Sequence, residues 1–197
     1  WGASRQRKTL DHLDLKIQSG ETVAIVSLDP IEPRALANLL PRFSDPQQGR
    51  ILIDGEDIAL ATLESLRAEV LYVTGSDPCF TGTIFENITC GSSEFSLTDV
   101  TAAAKLSHAH NFIQKLPQGY ESYLGSHGET LDAGQTYRLS LARAVLRNPA
   151  LLIVEEPTEP LDDDTKDLLD DAYNRILRDR TVILLPARMS TVRRADR

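Results

Sequence analysis

Two apolar runs, "ALLIVEE" (150–156) and "TVILL" (181–185), flank an amphipathic stretch, "DDDTKDLLDDAYNRILRD" (162–179). Neither run alternates polar with apolar residues, so a strand made from either must be covered on both faces. Strand, helix and strand in that order need a crossover connection, which sets the two strands parallel in one sheet. The chain is thereby constrained to an α/β fold with helices on both faces of the sheet.

The same alternation extends upstream. Leu13, Leu15 and Ile17 alternate with polar residues before a turn at Ser19-Gly20, and a strand is expected over Thr22–Val26. A loop, Ser27-Leu28-Asp29-Pro30-Ile31-Glu32-Pro33-Arg34, is expected to lead into a helix over Arg34–Leu40. "GRILIDGEDI" reads as a strand turning at Asp54-Gly55, "TLESLRAEV" as a helix capped by Thr62, and "VLYV" as a further strand. "LTDVTAAAKLSHAHNFIQKL" is helical with Ser96 or Thr98 as its cap, and "QTYRLSLARAVLRN" is an amphipathic helix closed at Asn148-Pro149. "MSTVRRADR" reads as a helix start.

With 197 residues the chain suits one core, or one core with a smaller subdomain. Its net charge of −8 argues against a nucleic-acid partner. No apolar run reaches the roughly 18 residues needed to span a bilayer. Cys79 and Cys90 have neither metal-ligand partners nor a framework spacing, so reduced thiols are expected. Asn87-Ile88-Thr89 matches a glycosylation acceptor, read here as a chance match. His108 and His110 read as two apart on one helix, hence on different faces, and His127 as a surface polar residue.

Ligands of open parallel sheets bind at the carboxyl ends of strands. Two such ends stand out, Val26 before the acidic loop and Val154 before Glu155-Glu156. A strand ending in acids beside a phosphate loop is the arrangement that holds a nucleotide with Mg²⁺. Yet residues 27–34 contain no glycine and no lysine, but two prolines and two carboxylates.

"ANLLPRFSDPQQGRILIDGEDI", "FTGTIFENI", "FIQKLPQGYESYLGSHGETLDAGQ", "RLSLARAVLRNPALLIVEEPTEPLD" and "RMSTVRRADR" together resemble the ATP-binding cassette (nucleotide-binding) domain of ABC transporters, the exporter type in particular. The stretches are collinear with that family over nearly the whole chain. The resemblance implies an α/β, P-loop NTPase-like parallel sheet core with an antiparallel N-terminal β subdomain and an inserted helical lobe at about 83–147. It implies a single nucleotide-binding domain over 1–197, with its C-terminal end truncated before the family's last strands. ATP and Mg²⁺ are the implied ligands. The implied partners are the transmembrane domains of an exporter and a second nucleotide-binding domain, at the cytoplasmic face of the cell membrane.

Held against the family's motifs, the chemical positions depart. In the phosphate loop the glycine places are Ser27, Pro30 and Glu32, the lysine place is Pro33, and the Mg²⁺-binding hydroxyl place is Arg34, followed by Ala35. Prolines remove N–H donors and carboxylates repel phosphate. Arg34 reads either as a phosphate contact from the first helical turn or, more simply, as a solvated side chain. The family's glutamine after the next strand falls at Gly75, and the signature becomes Leu131-Asp132-Ala133-Gly134-Gln135. Glu156 takes the place of the general base, here vestigial, and Glu155 that of the Mg²⁺-associated aspartate. The switch-histidine place is Ala187, and Trp1 lies near the place of the adenine-stacking aromatic. Three readings follow: a degenerate cassette that acts as structural or regulatory partner of another cassette, an active ATPase with unusual ligands energising export, and a non-transport interaction module reusing the fold.

Overall fold

The computed structural model describes residues 9–197, so Trp1 lies outside the described residues. Its centre is a parallel sheet of four strands, β1 (Thr22–Ala24), β4 (Val70–Val73), β7 (Leu151–Glu155) and β8 (Thr181–Leu185), in the order β1-β8-β7-β4. Leu151 to Glu155 pair in register with Thr181 to Leu185. The two runs that opened the sequence argument are thus neighbours at the centre of the sheet.

Alternate residues of these strands face opposite layers, which explains why neither run alternates in polarity. On one side, Leu152, Val154, Val182 and Leu184 pack with Tyr137 and Leu141 of helix α6 (Ala133–Arg147) and with Leu169, Tyr173 and Ile176 of helix α7 (Asp163–Ile176). On the other, Ile153, Ile183 and Leu185 pack with Ala37 of helix α1 (Ile31–Leu39), Leu66 of helix α2 (Leu63–Glu69) and Ile58.

Among the described residues, antiparallel pairing is confined to two small sheets. Strands β2 (Leu52–Ile53) and β3 (Glu56–Asp57) form a hairpin whose turn residues Asp54 and Gly55 both have positive φ, at 52° and 86°. That conformation belongs to a two-residue turn of the hairpin type. Strand β5 (Gly82–Thr83) pairs with β6 (Tyr123–Leu124). Residues 9–21 carry no strand, although Leu15 and Ile17 are half-buried.

A second core joins helices α3 (Ile84–Thr89), α4 (Leu97–Leu106) and α5 (His110–Ile113) to α6 through Ile84, Ile88, Val100, Ala104, Ile113, Leu139 and Ala142. Ser96 caps α4 by accepting the Asp99 N–H, while Asp99 reaches back to the Ser96 N–H. Helix α6 contributes to both cores and ends at Asn148 in the left-handed conformation. Asn87 is fully buried and hydrogen-bonds Phe80 and Thr83, so the sequon around it presents no acceptor to a glycan.

Two readings of local structure are corrected here. Helix α1 begins at Ile31, not Arg34, so Glu32, Pro33 and Arg34 lie in its first turn. The prolines do not delay it, because the first four N–H groups of a helix have no partner within it. His108 is not helical; it sits at φ 57° between α4 and α5, and its imidazole Nε2 lies 2.6 Å from Asp171 of α7. His110 instead contacts the Tyr120 hydroxyl at 2.8 Å, and His127 is exposed.

The hydrogen bond from His108 holds the Asp171 carboxyl below the usual aspartate range, with Arg175 adding to the effect. A carboxyl whose pKa is lowered by folding contributes stability above its unfolded value, and that contribution is lost as pH falls through the folded value. Asp171→Asn should therefore lower the urea midpoint at pH 7, and the gap from wild type should close as the pH is taken below about 3.9, the ordinary aspartate value. Urea titrations followed by circular dichroism at both pH values measure this.

Candidate functional site

The carboxyl end of β7 carries Glu155 and Glu156, which are only 6% and 2% exposed. Taking a carboxylate out of water is costly unless it is paired and hydrogen-bonded, and both of these are. One oxygen of Glu155 accepts the Arg34 Nε–H at 2.5 Å, and the other accepts the Tyr72 hydroxyl at 2.5 Å. Burial first, and then this bond to Glu155, push the Tyr72 phenol far above its ordinary pKa, which keeps it a proton donor. Arg34 is therefore not simply solvated, as the simpler sequence reading held. Half of its side chain is exposed, but its guanidinium turns inward to Glu155.

Glu156 is held more tightly still. Its Oε2 accepts the backbone N–H groups of Ala187 and Arg188 at 2.9 and 3.0 Å. Its Oε1 accepts from Arg188 Nε and Nη2 at 3.0 and 2.7 Å, and from the Thr191 hydroxyl at 2.6 Å. Burial alone would lower the Arg188 guanidinium, but the bonds and charge of Glu156 outweigh it and hold Arg188 above its ordinary value. Arg188 also pairs with Asp170 of α7 at 3.0 Å. Beneath the pair, the Tyr137 hydroxyl donates to the Glu155 carbonyl at 3.0 Å and lies 2.8 Å from the Tyr173 hydroxyl.

The segment after β1 is organised around its own carboxylates. The Ser27 hydroxyl donates to Glu32 at 2.6 Å, and the Ile31 N–H donates to the Asp29 side chain at 3.0 Å. The Glu32 N–H donates to the Asp29 carbonyl at 3.2 Å. Pro30 and Pro33 have no N–H at all. The first turn of α1 thus directs its N–H groups into the chain itself. Pro33 is buried, and Ala35 lies half-buried on the same helix.

Gly75 packs against the backbone after β7. A Cβ placed on it would lie 2.6 Å from the Glu156 carbonyl oxygen and 3.1 Å from Pro157 Cα. Asp132, Ala133, Gly134 and Gln135 open helix α6. Asp132 accepts the Gln135 N–H at 2.7 Å, and Gln135 returns a bond from its side chain to the Asp132 N–H at 3.1 Å. Gly134 is a packing glycine; a Cβ there would meet the Thr165 methyl of α7 at 2.6 Å. Ala133 is exposed, and Ala187 serves Glu156 through its backbone.

The structure thus brings Arg34 to Glu155, and Gly75 and Ala187 to Glu156, while residues 132–135 form a helix cap. Tyr72, Arg188 and Thr191 were not singled out from sequence, because each reaches its carboxylate from a different element. Among the described residues, no three of His, Cys, Asp and Glu gather as a metal centre.

The model of the family described as "ABC transporter" matches residues 10–159. The chain belongs to the ABC transporter family. It is 39% identical over its whole length to an uncharacterized ABC transporter ATP-binding protein, YfiC, of Bacillus subtilis, covering 32% of that protein. It is 40% identical over 98% of its length to an ATP-dependent lipid A-core flippase of Methylobacillus flagellatus, covering 33% of it. It is 36% identical over 94% of its length to ABC transporter B family member 13 of Arabidopsis thaliana, covering 15% of it. The chain thus spans about a third or less of the length of these relatives. Among the described residues, no helix is long and apolar enough to cross a membrane. The four-stranded parallel sheet with its helices and small antiparallel sheets is consistent with the α/β fold of that family.

Two outcomes follow from this geometry. Removing Arg188 strands a buried carboxylate, so Arg188→Ala should cost about 3 kcal/mol in equilibrium urea unfolding. Gly75→Gln should lower stability, by on the order of 1–3 kcal/mol, because its Cβ meets backbone. Gly75→Ala should show most of the same loss in the same unfolding assay.

Proposed function

We propose that this chain is a degenerate cassette domain of an ABC exporter, one that acts as a structural or regulatory partner of another cassette and turns over little or no ATP. The observation that carries this reading is the first turn of α1. The N–H groups of Ile31 and Glu32 both bond Asp29, the two neighbouring prolines have none, and Glu32 is itself tied to Ser27. A cassette holds a triphosphate through N–H groups presented at this helix start, reinforced by a cation. Here the groups point inward, two of the three charges at this helix start are negative, and the third, Arg34, is paired with Glu155.

The end of β7 supports the same reading. Mg²⁺ requires nearly octahedral oxygen ligands, and a family cassette draws on the strand-end carboxylate, a hydroxyl and the phosphates. At this site both Glu155 oxygens are engaged, and the hydroxyl place carries a guanidinium. These residues do not fit a Mg²⁺ bound in the family's manner. Glu156, at the place of the general base, has its carboxylate enclosed by five donors and no free oxygen to orient water.

As partners we propose the transmembrane domains of an exporter and a second nucleotide-binding domain, with the cassette at the cytoplasmic face of the membrane. Relatives named for export or flipping support this, as does their greater length. Calorimetric titration with Mg-ATP should give no saturable heat in the micromolar range, and phosphate release should match that of the Glu156→Gln variant. Micromolar binding with turnover abolished by Glu156→Gln would overturn the reading in favour of an active ATPase with unusual ligands.

A further inference from the structure

We infer that Arg34 is a built-in counter-ion: its guanidinium occupies, on Glu155, the role that a bound divalent cation plays in a nucleotide-loaded cassette, so that the folded domain is independent of metal. The inference deepens the proposed function and rests on it for the meaning of the site. Its basis is the pairing itself.

Glu155 is 6% exposed, at the carboxyl end of the central strand, and its charge needs a compensating positive group there. Among the described residues, Arg34, Arg188 and Arg194 form ion pairs at this end of the sheet or beside it. Arg188 is committed to Glu156 and Asp170, and Arg194 reaches Asp170. Arg34 alone among them bonds Glu155, through Nε at 2.5 Å. Tyr72 supplies a hydrogen bond to the other oxygen but no charge. Arg34 lies in the first turn of α1, so the pair also ties that turn to β7 across 121 residues of sequence. A serine or threonine at the same place could offer only an oxygen and would leave the carboxylate to an external cation.

Replacing Arg34 with serine should therefore uncover a cation site that wild type lacks. The measurement is thermal unfolding of the purified protein, without nucleotide, in 10 mM MgCl₂ or MnCl₂ against NaCl of equal ionic strength. Wild type should shift by less than about 1 °C. Arg34→Ser should unfold on the order of 5 °C lower in NaCl and regain about 3 °C in the divalent salts, as expected for a site of roughly millimolar affinity. The double variant Arg34→Ser/Glu155→Gln should lose that response. Stabilisation of wild type equal to that of the variant, or a response surviving in the double variant, overturns the inference.

If Arg34→Ser fails to accumulate, Arg34→Met alone and with Glu155→Gln decide the matter. Removing both charges should restore part of the melting temperature lost on removing one, whereas additive losses overturn the pairing. Because no nucleotide is present, a negative result here leaves the ATP titration untouched. A positive ATP titration likewise leaves this measurement standing.

Discussion

Two adjacent carboxylates buried at the end of a central strand set the terms for everything around them. Each demands a positive group and several donors before the strand can end inside the protein. Glu155 draws Arg34 from α1 and Tyr72 from β4, and Glu156 draws Arg188, Thr191 and two backbone N–H groups from the segment after β8. Three separate parts of the chain are thereby fastened to one point. In a parallel sheet this is the edge where bound ligands usually supply such charges. Here the chain supplies them itself.

The rest of the architecture fits that arrangement. The sheet is sandwiched by two apolar layers, and helix α6 passes from one of them into the core of the helical segment. The His108–Asp171 contact adds a polar tie between the same segment and α7. The first turn of α1 is closed by Asp29 and Ser27, while Leu28 just before it is fully exposed and Ile31 at its start largely so.

The legible part of the sequence was the part governed by local pattern. Continuous apolar runs gave the central strands, Thr62 and Ser96 cap the helices they precede, and Asn148 ends α6. The collinear stretches carry the resemblance to the family to which the chain belongs. What escaped was either positional or long-range. The start of α1 was misplaced because proline signals a loop by composition yet is at home in a first helical turn. Arg34 looked solvated because its partner lies 121 residues away, and Arg188 drew no notice because its partner is 32 residues back. His108 looked helical because nothing in its neighbours announces a left-handed residue between two helices.

The contact between Gly75 and the backbone of residues 156 and 157 has a consequence for how such a domain changes over generations. With the main chain opposite filling the space above Gly75, a larger residue has no room there unless that segment shifts first. The segment carries Glu156, whose carboxylate is held by five donors, so it does not shift cheaply. Change at this position is held in check by packing alone, whatever chemistry a larger side chain would bring.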